Sequence, residues 1–179
     1  MGHNIPTFFF PVHKDDLKGS ELSEEFVQEL LGNKYDSRFD EGIREVSSRS
    51  WWYQETTLEL AKQLDISGLK FLSEELLLLD DLCLSQASNS LAQLTSEISS
   101  TIPIFSEHVQ EEYSGIKELR KVDCSLAYEQ SSPAYEVNPS VDSGFEAVVG
   151  FYSFLKSLRA AIDSALENDQ YLIYYRPQP

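Results

Sequence analysis

The residue pair in this chain best suited to chemistry is His108 with Glu112, four positions apart. On a helix this spacing puts the imidazole and the carboxylate on one face, where they could hold a metal ion or transfer a proton. A metal ion would need two or more further ligands, and no second histidine lies close by in the sequence. A carboxylate-bridged bundle site uses Glu-x-x-His on two helices, whereas this chain has a single His-x-x-Glu-Glu. We therefore favour a structural pair at His108 and Glu112 and expect no cofactor.

Recognisable catalytic and cofactor motifs are missing from the sequence. It contains no GxGxxG, P-loop, HExxH, CxxC or GxSxG pattern. Its only cysteines, Cys83 and Cys124, are too far apart for a metal-ligand spacing and give no disulfide framework. An enzyme or a small-ligand binder with its pocket between long helices, near His108 and Glu112, stays open as an alternative. The leading expectation is a protein without catalytic activity.

Charge gives the strongest functional signal. The 179 residues carry a formal charge of −16, which argues against binding to nucleic acid or to an anionic membrane. The charge is also uneven, because the stretch between Lys70 and Lys117 has eight acids and no Lys or Arg. A second stretch without basic residues lies between Lys121 and Lys156. These features favour a basic partner.

Several of these acids stand beside tyrosines. Tyrosine is a frequent interface anchor, and carboxylates attract a basic protein at long range. Acidic proteins that mask the cationic cleft of a nuclease use this chemistry. We therefore expect a partner-binding surface, in an immunity protein, an antitoxin or a regulatory adaptor. The residues assigned to that surface are Glu111, Glu112, Tyr113, Tyr128, Glu129, Tyr135 and Glu136. A structural subunit of a larger assembly, with a tryptophan at the interface, is the third alternative.

The segment from Leu69 to Ile102 is expected to position the rest of the chain. Its apolar residues recur at steps of three and four, which is typical of one stripe of an α-helix. Around Leu76–Leu79 the stretch is apolar on every side, so a helix there would be buried all round. Whether Leu69–Ile98 forms one helix or two is open, and Asp65 or Ser67 is the expected cap. The stripe consists of Leu69, Leu72, Leu76, Leu79, Cys83, Ala87, Leu91, Leu94 and Ile98.

Further helices and two strands follow from the remaining patterns. The aromatic run at Ile5–Val12 and the run at Tyr171–Tyr175 both suit strands, and we expect them to pair. Ser125–Val141 reads as irregular because of its turn signals. The last helix begins with a capping box at Ser143 and Glu146. The other predicted helices are Glu21–Leu31 after a Ser20 cap, a short one within Tyr35–Ser50, Tyr53–Leu64 and Ile104–Lys121.

These elements predict a mainly α protein. Long amphipathic helices joined by short connections favour an antiparallel bundle, here of five or six helices. A minor two-stranded ribbon would pair the N- and C-terminal segments. The length suits one domain over residues 1–179. No signal peptide or membrane-spanning run is apparent, so a cytoplasmic protein is expected.

Overall fold

A mixed five-stranded sheet with helices on both faces forms the framework of the protein. The computed structural model describes residues 5–17, 21–48, 51–98, 122–138 and 144–178. The strands are β1 Ile5–His13, β2 Arg44–Ser48, β3 Leu76–Leu79, β4 Glu136–Val137 and β5 Gln170–Tyr175. The α-helices are α1 Glu24–Lys34, α2 Trp52–Gln63, α3 Asp81–Ile98, α4 Cys124–Gln130 and α5 Gly144–Glu167. Short 3-10 helices lie at Lys14–Leu17 and Lys70–Ser73.

The sheet has the strand order β3-β5-β1-β2-β4. Strand β1 is antiparallel to both of its neighbours, with Phe9 opposite Tyr174 on β5 and opposite Arg44 on β2. Strand β3 is antiparallel to β5. Strand β4 is parallel to β2 and lies at one end of the described sheet. The two segments most distant in sequence therefore form the middle of the sheet.

Alternate residues of the strands point to opposite faces, and each face is covered. On one face, Phe9 and Tyr174 belong to the main core together with buried residues of α2, α3 and α5. On the other face, Phe10 and Ile173 pack with Val27 and a second set of apolar residues from α1. Burial on both sides explains why β1, β3 and β5 are mostly apolar in sequence.

The predicted mainly α bundle is wrong, because the described chain is an α/β fold with a five-stranded sheet. The N- and C-terminal segments do pair, with Phe8 opposite Tyr175. They are not a minor two-stranded ribbon, since β2 and β3 extend the sheet on either side and β4 adds to β2. The helices α3 and α5 do pack on each other, but the core that they form also packs on one face of the sheet, and α1 covers the other face.

The predicted central helix is wrong in its first half. Residues Lys70–Ser73 form a 3-10 turn and Leu76–Leu79 form strand β3. A run of four leucines is apolar on all sides in either conformation, so its pattern cannot separate a buried helix from a strand covered on both faces. The helix begins only at Asp81, and its cap is Asp80, which accepts a hydrogen bond of 2.9 Å from the Cys83 N–H.

Smaller corrections concern element types and caps. The short helix predicted within Tyr35–Ser50 is wrong for Arg44–Ser48, which is strand β2. The prediction that Ser125–Val141 is irregular is wrong for residues 125–130, which belong to α4, and for Glu136–Val137, which form β4, while residues 131–135 between them have no helix or strand. Ser23, not Ser20, caps α1 through a bond from Phe26 N–H. The predicted helix Ile104–Lys121 lies outside the described residues.

Candidate partner-binding surface

The predicted binding residues divide into two groups. Glu111, Glu112, Tyr113 and the metal candidate His108 lie outside the described residues. The other four are described, and the segment that carries them runs from Val122 to Asn138, which we call the connector. They are Tyr128, Glu129, Tyr135 and Glu136.

Helix α4 forms the first half of the connector. Asp123 caps it by accepting a bond of 3.1 Å from the Leu126 N–H. Tyr128 is half-buried, and its ring meets the ring of Tyr152 edge-on at a centroid distance of 5.3 Å. Glu129, the next residue, is exposed. Tyr128 is thus mainly a packing residue that joins the connector to α5, and the adjacent carboxylate faces solvent.

Helix α5 holds the connector through two polar side chains. The Lys156 ammonium donates to the carbonyl oxygens of Tyr128 at 2.7 Å and Ser131 at 2.8 Å. It also lies 4.3 Å from the centroid of the Tyr128 ring, a cation–π contact. The buried Ser157 hydroxyl accepts from the Ala134 N–H at 2.8 Å. These bonds satisfy backbone groups at the end of α4 and fix the course of the chain into β4.

Three exposed aromatic side chains meet where the connector enters β4. Tyr35, Phe39 and Tyr135, which we call the aromatic patch, are 45%, 43% and 44% exposed. The rings of Phe39 and Tyr135 are 5.7 Å apart between centroids. Among the described residues only two other large apolar side chains are exposed, Leu82 and Leu126. The patch therefore concentrates most of the exposed apolar side chains at one place.

Two arginines order the aromatic patch. The Arg38 guanidinium lies 4.2 Å from the centroid of Tyr35 and 4.6 Å from that of Phe39. The same group donates to Glu136 Oε1 at 3.0 Å, which ties the loop after α1 to β4. The Arg44 guanidinium lies 4.8 Å from the centroid of Tyr135. Contacts of this kind restrict the rotamers of the rings before any partner arrives.

The charges around the patch affect one another. Residues 34–45 together with Glu136 contain five acids and three bases, so the area stays net negative. Burial and the neighbouring Glu136 raise the pKa of Glu45, which faces Glu136 across the β2–β4 pair. Burial lowers the pKa of Arg44. The hydrogen bond to Glu136 raises the pKa of Arg38, because it stabilises the charged guanidinium.

A cleft of about 540 Å³ opens beside the patch, between β4 and the first half of α5. Two carboxylates line it, those of Glu136 and Glu146, together with the amides of Gln130 and Asn138. The described lining contains serine, alanine, valine and glycine besides these, and no Lys or Arg. Such a lining offers hydrogen-bond acceptors and negative charge to a ligand.

Sequence reasoning found Tyr135 and Glu136 but missed the other half of the surface. Tyr35, Phe39, Arg38 and Arg44 are not among the predicted binding residues. A usable signal was present in Tyr35-Asp36-Ser37-Arg38-Phe39-Asp40, which interleaves aromatic and charged residues as the Tyr-Glu pairs do.

The described ranges give little support for a metal site, a reactive thiol or a membrane-spanning helix. No group of three or more His, Cys, Asp or Glu side chains there is placed to hold a metal ion. Burial raises the pKa of both Cys83 and Cys124, so these thiols stay protonated and are poor nucleophiles. None of the described helices combines the length and the hydrophobicity that a bilayer span requires.

The chain matches no family model, and no curated protein or solved structure is significantly similar to it.

Proposed function

We propose that this protein is a non-catalytic binding module that recognises a basic protein partner through the aromatic patch and the acids around it. A neutraliser of the immunity or antitoxin kind, or a regulatory adaptor, fits this description, and we place it in the cytoplasm. The observation that carries the proposal is the convergence of Tyr35, Phe39 and Tyr135 on one exposed site.

Energetic reasons support the aromatic patch as the anchor. Interfaces draw most of their binding energy from a few residues, with tyrosine among the most frequent. The rings are already oriented by Arg38 and Arg44, which reduces the entropy lost on binding. Exposed apolar side chains that cluster, rather than scatter, are typical of interaction sites.

The charge of the chain supports the class of partner. A net charge of −16 generates an attractive field for a basic protein and repels nucleic acids. Glu129 and Glu136 remain the proposed acidic contacts, whereas Tyr128 packs against α5 and holds the connector in place. Glu111, Glu112 and Tyr113 stay predictions for the same surface.

Capture from an extract of the protein's own cells tests the proposal. The immobilised chain should retain a basic protein, identified by mass spectrometry, that is released as the salt concentration rises. Tyr135→Ala or Phe39→Ala should weaken capture by about tenfold or more, since a truncated anchor costs roughly 2 kcal/mol. Leu82→Ala is the matched control, because Leu82 is 67% exposed but lies on α3.

Charge reversal tests the acidic contacts independently. The double variant Glu129→Lys with Glu136→Lys should lose the partner at low salt as well as at high salt. Capture that is unaffected by both the aromatic and the charge-reversed variants would refute this surface.

A further inference from the structure

We propose that β4 accepts an extended basic segment of the partner as an additional strand, which places a lysine or arginine side chain in the neighbouring cleft. This inference rests on the proposed function, since it names the part of the partner that the surface recognises. It adds a backbone recognition mode and a side-chain subsite to the aromatic anchor.

The first support is the position of β4. Within the described residues β4 is the last strand of the sheet, with β2 on one side only. Glu45 N–H donates to the Tyr135 carbonyl at 2.7 Å, and Glu45 is the register partner of Glu136. In a parallel pair with this register, residues 135 and 137 bond to β2, while the N–H and C=O of Glu136 face the opposite edge. An extended segment can pair with that edge.

The second support is the cleft at this same strand. Residues 134 and 136–138 form one wall of the cleft, and α5 forms the other. A strand added along β4 would direct alternate side chains to opposite faces of the sheet, and the side chains on the face of α5 would lie next to this cleft. Its volume of about 540 Å³ is ample for a long side chain.

The third support is the charge of the cleft, which selects a cation. Glu136 and Glu146 line the opening, and the described lining has neither lysine nor arginine. Glu136 contacts Arg38 through Oε1 at 3.0 Å, and a carboxylate has a second oxygen that can accept another bond. Serine hydroxyls and side-chain amides supply further acceptors. An ammonium or guanidinium group fits this set, whereas an anionic segment would meet like charge.

The opposite end of the sheet does not offer this combination. Strand β3 is also terminal in the described sheet, but it consists of four leucines. Glu74 and Glu75 precede it, and the backbone carbonyl of Glu75 accepts a bond of 2.7 Å from the Arg176 N–H on the side of β5. These two acids therefore provide a matched control for the charge of the β4 edge.

Peptide titration tests the inference on the full chain. The probe is an acetylated, amidated pentapeptide of alternating valine and lysine, and binding is followed by fluorescence anisotropy and by amide chemical shifts of the ¹⁵N-labelled protein. Two comparison peptides carry either glutamate in place of lysine or N-methyl groups on alternate backbone nitrogens. We expect the lysine peptide to bind and to slow hydrogen exchange at the Glu136 amide. Both comparison peptides should bind at least about tenfold more weakly, because one loses the charge and the other the backbone bonds.

Variants locate the site. The double variant Glu136→Gln with Glu146→Gln should bind the lysine peptide about tenfold more weakly. The control double variant Glu74→Gln with Glu75→Gln should bind it with unchanged affinity. Asn138→Pro removes a backbone N–H next to β4 on its outer edge, so it should lower the affinity for every peptide that pairs with this strand. Equal affinity for the N-methylated peptide would overturn strand addition, as would loss of affinity in the control double variant or no binding at all.

The two proposals fail separately. If the peptide does not bind but capture of a partner still depends on Tyr135, strand addition is refuted and the proposed function stands. If the peptide binds at β4 but no Tyr135-dependent partner is captured, the proposed function is refuted and the β4 site remains as a peptide-binding edge.

Discussion

Replacing Lys156 by methionine should loosen the connector and destabilise the protein. The ammonium of Lys156 donates to two carbonyl oxygens of the connector, those of Tyr128 and Ser131, and covers the Tyr128 ring. Methionine keeps the aliphatic length of the side chain and removes both donors and the charge. The last turn of α4 would then have two carbonyl groups without this partner.

The size of the effect follows from these contacts. A hydrogen bond from a charged donor contributes about 1.5–3 kcal/mol, and an exposed cation–π contact about 0.5–1 kcal/mol. Two facts reduce the sum. Lys156 is half-buried, so water can replace it at the carbonyls, and burial lowers its pKa, which indicates a desolvation cost to the ammonium. We therefore expect a loss of about 1.5 kcal/mol in the free energy of unfolding.

Urea denaturation measures this loss. With a slope of about 2 kcal/mol per molar, Lys156→Met should lower the urea midpoint by roughly 0.7 M. The control is Lys62→Met, since Lys62 is exposed on α2. Hydrogen exchange should rise in the connector more than in α3. If Lys156→Met and Lys62→Met have the same midpoint and the same exchange in the connector, the anchoring role given to Lys156 is wrong.

Three further predictions concern packing and charge. A Cβ at Gly68 would lie 2.6 Å from a backbone carbonyl oxygen of α3, so Gly68→Ala should lower the free energy of unfolding by about 2 kcal/mol, as measured by thermal melting. A Cβ at Gly32 would lie in open space within α1, so Gly32→Ala should raise the free energy of unfolding by about 0.5–1 kcal/mol. Leu79→Asp should abolish cooperative unfolding because Leu79 is fully buried. Leu76 is only half-buried, so Leu76→Asp should lower the melting temperature but leave the transition cooperative. The same melting curve for both variants would contradict the strand assignment. The raised pKa of Glu45 means that the folded state binds more protons, so its contribution to stability falls as pH rises above 4.5, and Glu45→Gln should raise the melting temperature at pH 7 but not at pH 4.

How far the sequence predicts this fold depends on the length of each pattern. Long amphipathic stretches gave correct helices at α2, α5 and the second half of the central segment, where Leu84, Ala87 and Leu91 are buried. Short apolar runs did not, since Leu76–Leu79 has the same composition as a buried helical turn. Leucine favours helices in isolation, and pairing with β5 overrides that preference.

The candidate surface was predicted only where its residues share a local signal. Tyr135 and Glu136 were found from the proximity of an aromatic residue to an acid. Their contacts with Phe39 and Arg38 join residues almost a hundred positions apart, and no local pattern in one sequence reports such a pairing.

The pairing of β1 with β5 has a consequence for how the protein is made. Residues 5–9 can pair with β2 early, but the other neighbour of β1 becomes available only when residues 170–175 have left the ribosome, so the middle of the sheet forms late. Closing so long a loop slows folding, and until then β1 exposes an apolar, aromatic strand that can pair with other chains. Ribosome-bound chains that end before residue 170 should therefore be protease-sensitive at residues 10–13, which pair only with β5, and they should need a chaperone more than chains that include β5.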